Sequence, residues 1–391
     1  MRLLIVNRES RLLGGIEGYL SNLLPALRAS GHELALIHEN EGPGELNSLV
    51  SHSWSLTDRN WEEKAHSWSP TMVHCHGVSS PRYLVRLFPL APSLYFAHDY
   101  RATCISGLKT WQSQGHACSR PLGRGCLAHF FPKRCGGLNP LTMLHDYQNA
   151  WSQLQAIRSF SRIVTFSGHL TREYLNHGFP RGQIVHLKPF VMQAARSSTS
   201  FLPRNDHVRL LFLGRMDHLK GGGLLLESLP AIQHQLDRPL LLTFAGDGPC
   251  RKQWMDQARQ ITSPLITIQF IGWVNPLERE KLFLETDLLV MPGIWPEPFG
   301  LVGLEAAAFG VPAAAFDVGG ISEWLDEGVN GHLASSNPPS PSHFAEAVAR
   351  CCASRAYLHQ LRAGAFQTAR KFTLEHHINA LEQLFSDLVP G

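Results

Sequence analysis

The chain has 391 residues, a net charge of +3, 44% hydrophobic residues and 17% charged residues. This composition is typical of a globular protein rather than a disordered one, and the length favours two domains. No stretch approaches the ~20 consecutive apolar residues that cross a bilayer. The apolar run at 1–7 is too short for a signal peptide. We therefore expect a cytoplasmic protein.

The charge is distributed unevenly along the chain. Residues 1–200 contain 20 basic and 12 acidic side chains, whereas residues 201–391 contain 15 basic and 20 acidic ones. No acidic residue lies between Asp99 and Asp146, a stretch that holds Arg101, Lys109, Arg120, Arg124, Lys133 and Arg134. The stretch is interpreted as a solvated basic loop, or as a surface for an anionic acceptor or an anionic membrane face. Nucleic acid is disfavoured, because no binding motif accompanies the charge.

The same stretch is rich in cysteine. Four of the eight cysteines fall within 32 residues, at Cys104, Cys118, Cys126 and Cys135. In a cytosolic chain such clustering suggests a metal site or reactive thiols before disulfides. The spacing is wide and lacks a Cys-x-x-Cys pair, which disfavours zinc. Reduced, partly buried thiols are the preferred interpretation, with a structural metal and a disulfide or redox role as alternatives.

Periodicity in the first half predicts alternating strands and helices. A buried strand at 2–7 is followed by a glycine pair, a helix over 16–29 and a strand over 33–38. This order begins a doubly wound parallel sheet. The remaining elements predicted in this half are a helix at 142–159 and strands at 71–76, 93–97, 162–166 and 185–187.

The alternation restarts after a polar stretch at 189–207, which carries Pro and a Ser/Thr run and is interpreted as a linker and part of a hinge. The elements predicted beyond it are strands at 208–213, 240–245, 267–271 and 287–291 and helices at 301–309 and 374–388. We therefore predict an α/β protein with three parts: a Rossmann-like domain at 1–195, a second one at 205–373, and a C-terminal helix at 374–391 that packs back on the first domain.

Two glutamates, Glu297 and Glu305, form the clearest chemical motif, eight positions apart. Nearby Pro and Gly residues place Glu297 in a loop, whereas 301–309 favours a helix that carries Glu305 about one turn from its start. A phosphate would be favoured by the exposed amides at that helix N-terminus, those of Gly300, Leu301 and Val302. The spacing alone also fits a capped surface helix with a solvated Glu305.

A second motif, from Gly214 to Gly222, follows a predicted strand and opens a helix. Arg215 and Lys220 come off the end of that strand, where α/β folds place ligands. Two cations beside glycines suit a diphosphate, whose charge must be neutralised as it leaves. An ordinary basic turn is the alternative.

Together these segments resemble the family-4 retaining glycosyltransferases of the GT-B fold, over nearly the whole chain. Arg215 and Lys220 match the family's G-R-x-x-x-x-K-G pattern, and Glu297 and Glu305 match its E-x7-E motif. The further matching segments are Gly14-Gly15-Ile16-Glu17, Gly31-His32-Glu33-Leu34, Gly246-Asp247-Gly248-Pro249, Phe270-Ile271-Gly272-Trp273, Asp317-Val318-Gly319-Gly320 and Glu323. The resemblance implies two Rossmann-like domains facing a cleft, and transfer of a sugar from a nucleotide-sugar donor.

The resemblance also implies a donor site. Arg215 and Lys220 would bind the donor diphosphate, Glu297 the hydroxyls of the transferred sugar, and Glu305 the nucleotide ribose. Gly15 would approach the diphosphate from the first domain. The other implied donor contacts are Gly272 and Trp273, which lie against the base, and Phe299, Gly300, Leu301 and Val302.

His98 matches a family position at the end of a strand in the first domain, where it would bond to the sugar. The implied catalytic set is Glu297, His98, Arg215 and Lys220. Asp99 and Ser167 resemble family positions without an assigned role. The family retains the anomeric configuration of the transferred sugar. In the usual proposal the acceptor hydroxyl attacks from the front face and is deprotonated by the departing phosphate. This mechanism needs no enzymatic nucleophile and no catalytic metal, and the sequence has no Asp-x-Asp motif.

The expected donor substrate is therefore a UDP- or GDP-sugar, and no cofactor is required. The acceptor is not identified by the sequence, and an anionic or a lipid-linked acceptor is compatible with it. The acceptor would belong to glycan, polysaccharide or glycolipid synthesis, and peripheral contact with the inner face of a membrane is a further expectation. The alternatives are a GT-B phosphorylase or synthase and a non-catalytic nucleotide-sugar-binding module.

Overall fold

The computed structural model describes residues 1–40, 42, 44–113, 115–192 and 207–389, and the chain forms two units. The first unit comprises Met1–Lys109, Ser119–Phe190 and Leu374–Gly391; the second comprises Thr110–Cys118 and Val191–Thr373. The segment 110–118 thus groups with the second unit, which local sequence pattern does not suggest. Most of the predicted linker, from 193 to 206, lies outside the described residues.

Each unit is built on one parallel sheet. The strands are β1 (Arg2–Val6), β2 (Glu33–His38), β3 (His52–Ser55), β4 (Met72–Cys75), β5 (Ser93–Ala97), β6 (Thr110–Trp111), β7 (His116–Ala117), β8 (Arg162–Thr165), β9 (Ile184–His186), β10 (Val208–Leu213), β11 (Leu240–Ala245), β12 (Ile266–Gly272), β13 (Leu288–Met291), β14 (Ala313–Phe316) and β15 (Gly331–Ala334). The strand order is β3-β2-β1-β4-β5-β8-β9 in the first sheet and β12-β11-β10-β13-β14-β15 in the second. The two short strands β6 and β7 pair with each other in antiparallel fashion.

An α-helix joins most consecutive parallel strands, the usual crossover connection between them. The helices are α1 (Gly15–Ala29), α2 (Trp61–Trp68), α3 (Pro81–Leu87), α4 (Arg124–His129), α5 (Pro140–Ile157), α6 (Gly168–Asn176), α7 (Gly222–Leu236), α8 (Arg251–Ala258), α9 (Pro276–Glu285), α10 (Leu301–Ala308), α11 (Pro341–Cys351), α12 (Arg355–Ala369) and α13 (Leu374–Leu388). Among the helices of the described residues, none combines the length and the apolar character that crossing a membrane requires.

The central strands are buried, as expected for parallel sheets covered by helices. Residues 3–6 of β1 are fully inaccessible, and β5 and β14 are buried along their whole length. Because the strands of each sheet are parallel, the loops that follow them lie at one edge of the sheet. In both units these loops carry candidate site residues.

The C-terminal helix α13 belongs to the first unit. Its His377 Nε2 lies 2.7 Å from the Tyr19 hydroxyl, and its Glu382 Oε1 lies 2.6 Å from His32 Nε2. Tyr19 lies in α1, and His32 lies between α1 and β2. Polar contacts and the buried face of α13 thus fix the last helix to the unit that the chain begins.

Most predicted elements are confirmed within two residues. Strands β2, β5, β10 and β11 begin and end at the predicted residues, and helices α10 and α13 begin at theirs. Five strands were not predicted: β3, β6, β7, β14 and β15. β3 lies at the edge of the sheet and is polar (HSWS), while β14 is alanine-rich (AAAF), so neither shows the branched apolar run that favours a strand.

Candidate active site

The strongest constellation in the second unit joins Lys220 to Glu297. Lys220 ends a short 3-10 turn that follows β10, and Asp217 caps the turn by accepting a hydrogen bond from the amide of Leu219 at 3.2 Å. Glu297 lies in the loop between β13 and α10. The Lys220 ammonium donates to Glu297 Oε1 and lies 4.9 Å from the centroid of the Trp295 ring. The two side chains are 31% and 15% exposed, so both remain reachable by a ligand.

Backbone contacts hold the two loops together. The amides of Ile294 and Trp295 donate to the carbonyl of Leu219 at 2.9 and 3.3 Å. Gly221 has φ +73°, and a Cβ there would lie 1.9 Å from the carbonyl oxygen of Pro292. Only glycine therefore permits this approach, which brings Lys220 to Glu297 across 77 residues of sequence.

The N-terminus of α10 lies directly after Glu297. Gly300 is the residue before the helix, with φ +86°. The first amides of any helix lack partners within it and carry partial positive charge. Lys220, Glu297 and Val302 line one pocket, together with Leu213, Met291 and Gly293. A cation, a carboxylate and a helix N-terminus thus meet at the ends of two neighbouring parallel strands.

Glu305 lies inside α10 and forms a salt bridge with Arg279 of α9, at 3.1 Å. Burial raises the pKa of Glu305, and the nearby Arg279 guanidinium opposes that rise. Glu305 is therefore paired and only 33% exposed, in contrast to the fully solvated side chain of the simple surface-helix interpretation. Arg279 was not singled out from the sequence, because nothing local relates a residue of α9 to one of α10.

The other donor residues predicted in this unit differ in accessibility. Arg215 is exposed and has no salt bridge within the described residues. Trp273, which follows β12, is 72% exposed, and Gly272 has open space around it. Phe299 is buried, with its ring 5.6 Å from that of Phe372. Only the backbone of Phe299 is therefore placed to contact a ligand.

In the first unit, Gly15 is the first residue of α1, and a Cβ added to it would meet no atom within 4 Å. The helix therefore does not need glycine there for its own packing. Asp99 is engaged locally: one of its carboxylate oxygens accepts from the amide of Arg101 at 2.9 Å, and the other pairs with the guanidinium at 3.2 Å. Ser167 caps α6 by accepting from the amide of Leu170 at 3.1 Å.

His98 follows β5 and is hydrogen-bonded to a second histidine. Its Nε2 lies 3.0 Å from Nδ1 of His76, which follows β4. The His76 ring stacks on Phe96, with centroids 4.2 Å apart and planes 18° apart. His76 was not predicted from the sequence, although β4 and β5 are neighbours and the two histidines each come just after the end of their strand.

The tautomers of His76 and His98 follow from the hydrogen bonds that their ring nitrogens make. His76 Nε2 is buried and has no hydrogen-bond partner among the described residues. A buried N–H without an acceptor costs more than an unused lone pair, so we infer that the His76 proton resides on Nδ1. It is then donated to His98 Nε2, which leaves the His98 proton on Nδ1. His98 would therefore present an N–H donor to a ligand.

Burial keeps this group of histidines neutral. It lowers the pKa of His98 and of His74 to about 3 and that of His377 to about 4, and it lowers the pKa of His76 well below its ordinary value. Neighbouring histidines add to the effect at His74 and His76. At neutral pH the group can therefore donate and accept hydrogen bonds but adds no charge.

The cysteine cluster is not brought together. Cys104 Sγ lies 3.5 Å from the hydroxyl of Ser106, whereas the thiols of Cys126 and Cys135 donate to the carbonyls of Pro121 and His129. Within the described residues none of the four cysteines forms a disulfide. Across the described ranges, no three His, Cys, Asp or Glu side chains are placed to hold a metal. The metal interpretation of this cluster therefore finds no geometric support.

The fold has solved counterparts. HepE of Anabaena, in its complex with UDP, superposes with a TM-score of 0.70 at 17% identity, covering 99% of this chain and 100% of its own. This likeness, together with the two parallel α/β sheets, defines the GT-B fold, as predicted.

The sequence also has curated relatives. Residues 196–368 match the family model described as glycosyl transferases group 1. The glycogen synthase of Mycobacterium tuberculosis is 34% identical over 374 residues, which cover 85% of this chain and 81% of that relative. An uncharacterized glycosyltransferase of Methanocaldococcus jannaschii is 34% identical over 128 residues, only 33% of this chain and 32% of its own length. The chain belongs to the glycosyl transferases group 1 family.

The buried histidines make stability depend on pH. An unfolded histidine titrates near pH 6.5. Below that pH the unfolded state therefore binds protons, whereas the buried histidines of the folded state remain unprotonated. For each such group the free energy of unfolding should fall by up to about 1.4 kcal/mol per pH unit as the pH drops from about 6.5 towards the folded pKa.

We expect His74→Leu to reduce this dependence by one proton, because both ring nitrogens of His74 are buried without partners. Urea unfolding between about pH 6.5 and pH 5 measures the slope. The exposed His66 serves as control, and His66→Leu should leave the slope unchanged. An unaltered slope in His74→Leu would contradict a neutral, buried His74.

Proposed function

We propose that this glycosyltransferase is a retaining hexosyltransferase of family 4, which moves a sugar from a UDP- or GDP-sugar to an acceptor in glycan, polysaccharide or glycolipid synthesis. The observation that carries the proposal is the meeting of Lys220 and Glu297 in front of the α10 N-terminus. A cation beside helix amides suits a diphosphate. A carboxylate beside them suits sugar hydroxyls, which need an acceptor for their protons. The UDP complex of HepE supports a nucleotide donor.

The roles divide between the units. In the second unit, Arg215, Lys220 and the amides of Gly300, Leu301 and Val302 would bind the diphosphate, while Glu305, oriented by Arg279, would bind the ribose. Trp273 and Gly272 would lie against the base. In the first unit, which would take the acceptor, Gly15 would approach the diphosphate and His98 would donate to the sugar.

The reaction needs no nucleophile from the protein. The bond from the sugar anomeric carbon to the diphosphate oxygen breaks while the acceptor oxygen bonds to the same face of that carbon. The acceptor proton passes to the departing phosphate oxygen. Arg215, Lys220 and the α10 N-terminus would stabilise the charge that develops on the leaving group, and their fixed positions reduce the reorganisation that this requires. No catalytic metal and no cofactor enter this scheme, and the proposal keeps a cytoplasmic location.

The proposal predicts nucleotide release from one donor in a panel of UDP-, GDP- and ADP-sugars. Glu297→Gln keeps the shape of the side chain but removes its charge, and should slow release about 10- to 100-fold, the worth of a charged hydrogen bond. The control Glu280→Gln makes the same change at an exposed position of α9 and should release nucleotide at the wild-type rate. Release from no donor by the wild-type protein, or equal rates for both variants, would contradict the proposal.

His76 is expected to act by positioning His98. His76→Asn retains an N–H donor near the position of Nδ1, whereas His76→Leu removes it. We expect the asparagine variant to keep most of its turnover and the leucine variant to lose turnover with little change in donor KM. Nitrogen NMR of the His98 ring should show the proton on Nδ1 in the wild type and a mixture of tautomers in His76→Leu. Equal turnover and unchanged tautomers in the leucine variant would rule out this role.

A further inference from the structure

One face of the first unit exposes apolar side chains that its own core does not use. The α5 patch consists of Phe131, Leu138, Leu141, Leu144 and Trp151, each at least 36% exposed. Leu138 and Leu141 are 82% and 74% exposed, among the most exposed large apolar residues that the structure describes. Exposed apolar residues are ordinary when scattered singly, but these five fall within 21 positions of the sequence.

Three of the five residues form a second apolar face of α5. The buried face of α5 carries Met143, Ala150, Leu154 and Ile157. Leu141, Leu144 and Trp151 follow the helical spacing of a separate stripe, and Tyr147 stacks beside Trp151 with ring centroids 6.4 Å apart. A surface helix normally presents polar residues opposite its core face. The stripe therefore needs an explanation outside the packing of this unit.

Exposed arginines lie near the patch in the sequence, and Arg124 begins α4, which contacts α5. Arg120, Arg124 and Arg134 are exposed, and none is paired with an acidic side chain in the described part of the chain. Arg134 is joined to Phe131 by a turn in which its amide donates to the Phe131 carbonyl at 3.0 Å. The Lys109 ammonium, by contrast, is buried against Glu173 at 2.5 Å and takes no part.

The combination of exposed apolar side chains and arginines restricts the kind of partner that could bind the patch. A second copy of this chain, docked symmetrically, would bring the same three arginines towards one another without a carboxylate between them. An anionic bilayer accepts both features: apolar rings enter the boundary of the acyl chains while guanidinium groups bind the phosphates of the headgroups. Asp146 is the one acidic residue from 100 to 151, so such a surface carries little negative charge that anionic headgroups would repel.

We propose that the α5 patch and its three arginines form a docking surface for an anionic lipid bilayer. The surface lies wholly in residues 120–151 and uses none of the proposed sugar-transfer residues. The inference is therefore independent of the proposed function, and its test needs no donor sugar.

Co-sedimentation of the full chain with vesicles tests this surface. We expect binding to phosphatidylglycerol–phosphatidylcholine vesicles, little binding to phosphatidylcholine alone, and weakening by salt, which screens the arginines. Arg124→Gln and Arg134→Gln should each lower the partition coefficient about five-fold, the worth of one basic residue at such a membrane. Leu138→Ser combined with Leu141→Ser should lower it about ten-fold or more, because apolar burial is lost.

Matched controls separate docking from general charge or folding effects. Arg172→Gln and Leu277→Ser alter equally exposed residues on other helices and should leave vesicle binding unchanged. Thermal unfolding should be unchanged in every variant, since all these side chains lie at the surface. The proposal is overturned if the wild-type chain ignores anionic vesicles or if the patch variants bind them normally. It is also overturned if the patch variants instead abolish a dimer or the capture of an acidic protein.

Discussion

The candidate site depends on one contact, the pairing of Lys220 with Glu297. The sequence separates the two residues widely, and parallel pairing of β10 with β13 brings the ends of their strands together. Gly221 then allows the first loop to approach Pro292 more closely than any other residue would. The pair is only partly exposed, so its attraction is stronger than that of a surface salt bridge. A ligand that replaces Glu297 as the partner of Lys220 must offer negative charge, which a diphosphate does.

The histidines of the first unit provide a neutral hydrogen-bond donor. They are uncharged at neutral pH because burial lowers their pKa values. His76 sets the orientation and tautomer of His98, while Tyr19 and the Lys188 carbonyl hold His377 at 2.7 Å each. The rings of Tyr19 and Phe166 contact each other and also pack against His98. The conformation of His98 is therefore set by the core of its own unit.

Local sequence patterns predicted the parts of the structure that local physics determines. Apolar runs placed β10 and β11, and glycine and proline placed the start of α10, because these signals act within a few residues. The contacts of Glu305 with Arg279 and of His98 with His76 could not be predicted, since they join different elements. The cysteines agree with their preferred interpretation as reduced, partly buried thiols. The alternative of a shared metal site is not supported, because the thiols of Cys126 and Cys135 donate to separate backbone carbonyls.

Calorimetric titration of UDP and GDP, each beside its parent nucleoside, tests most directly whether Lys220 and the α10 N-terminus form a diphosphate site. We predict one site per chain, and a nucleoside diphosphate that binds the wild-type protein at least about 10-fold more tightly than its nucleoside, the worth of charged hydrogen bonds to phosphate. Lys220→Gln should remove most of that difference while leaving nucleoside binding unchanged. Equal affinities for diphosphate and nucleoside in the wild-type protein, or a difference that survives Lys220→Gln, would contradict the account.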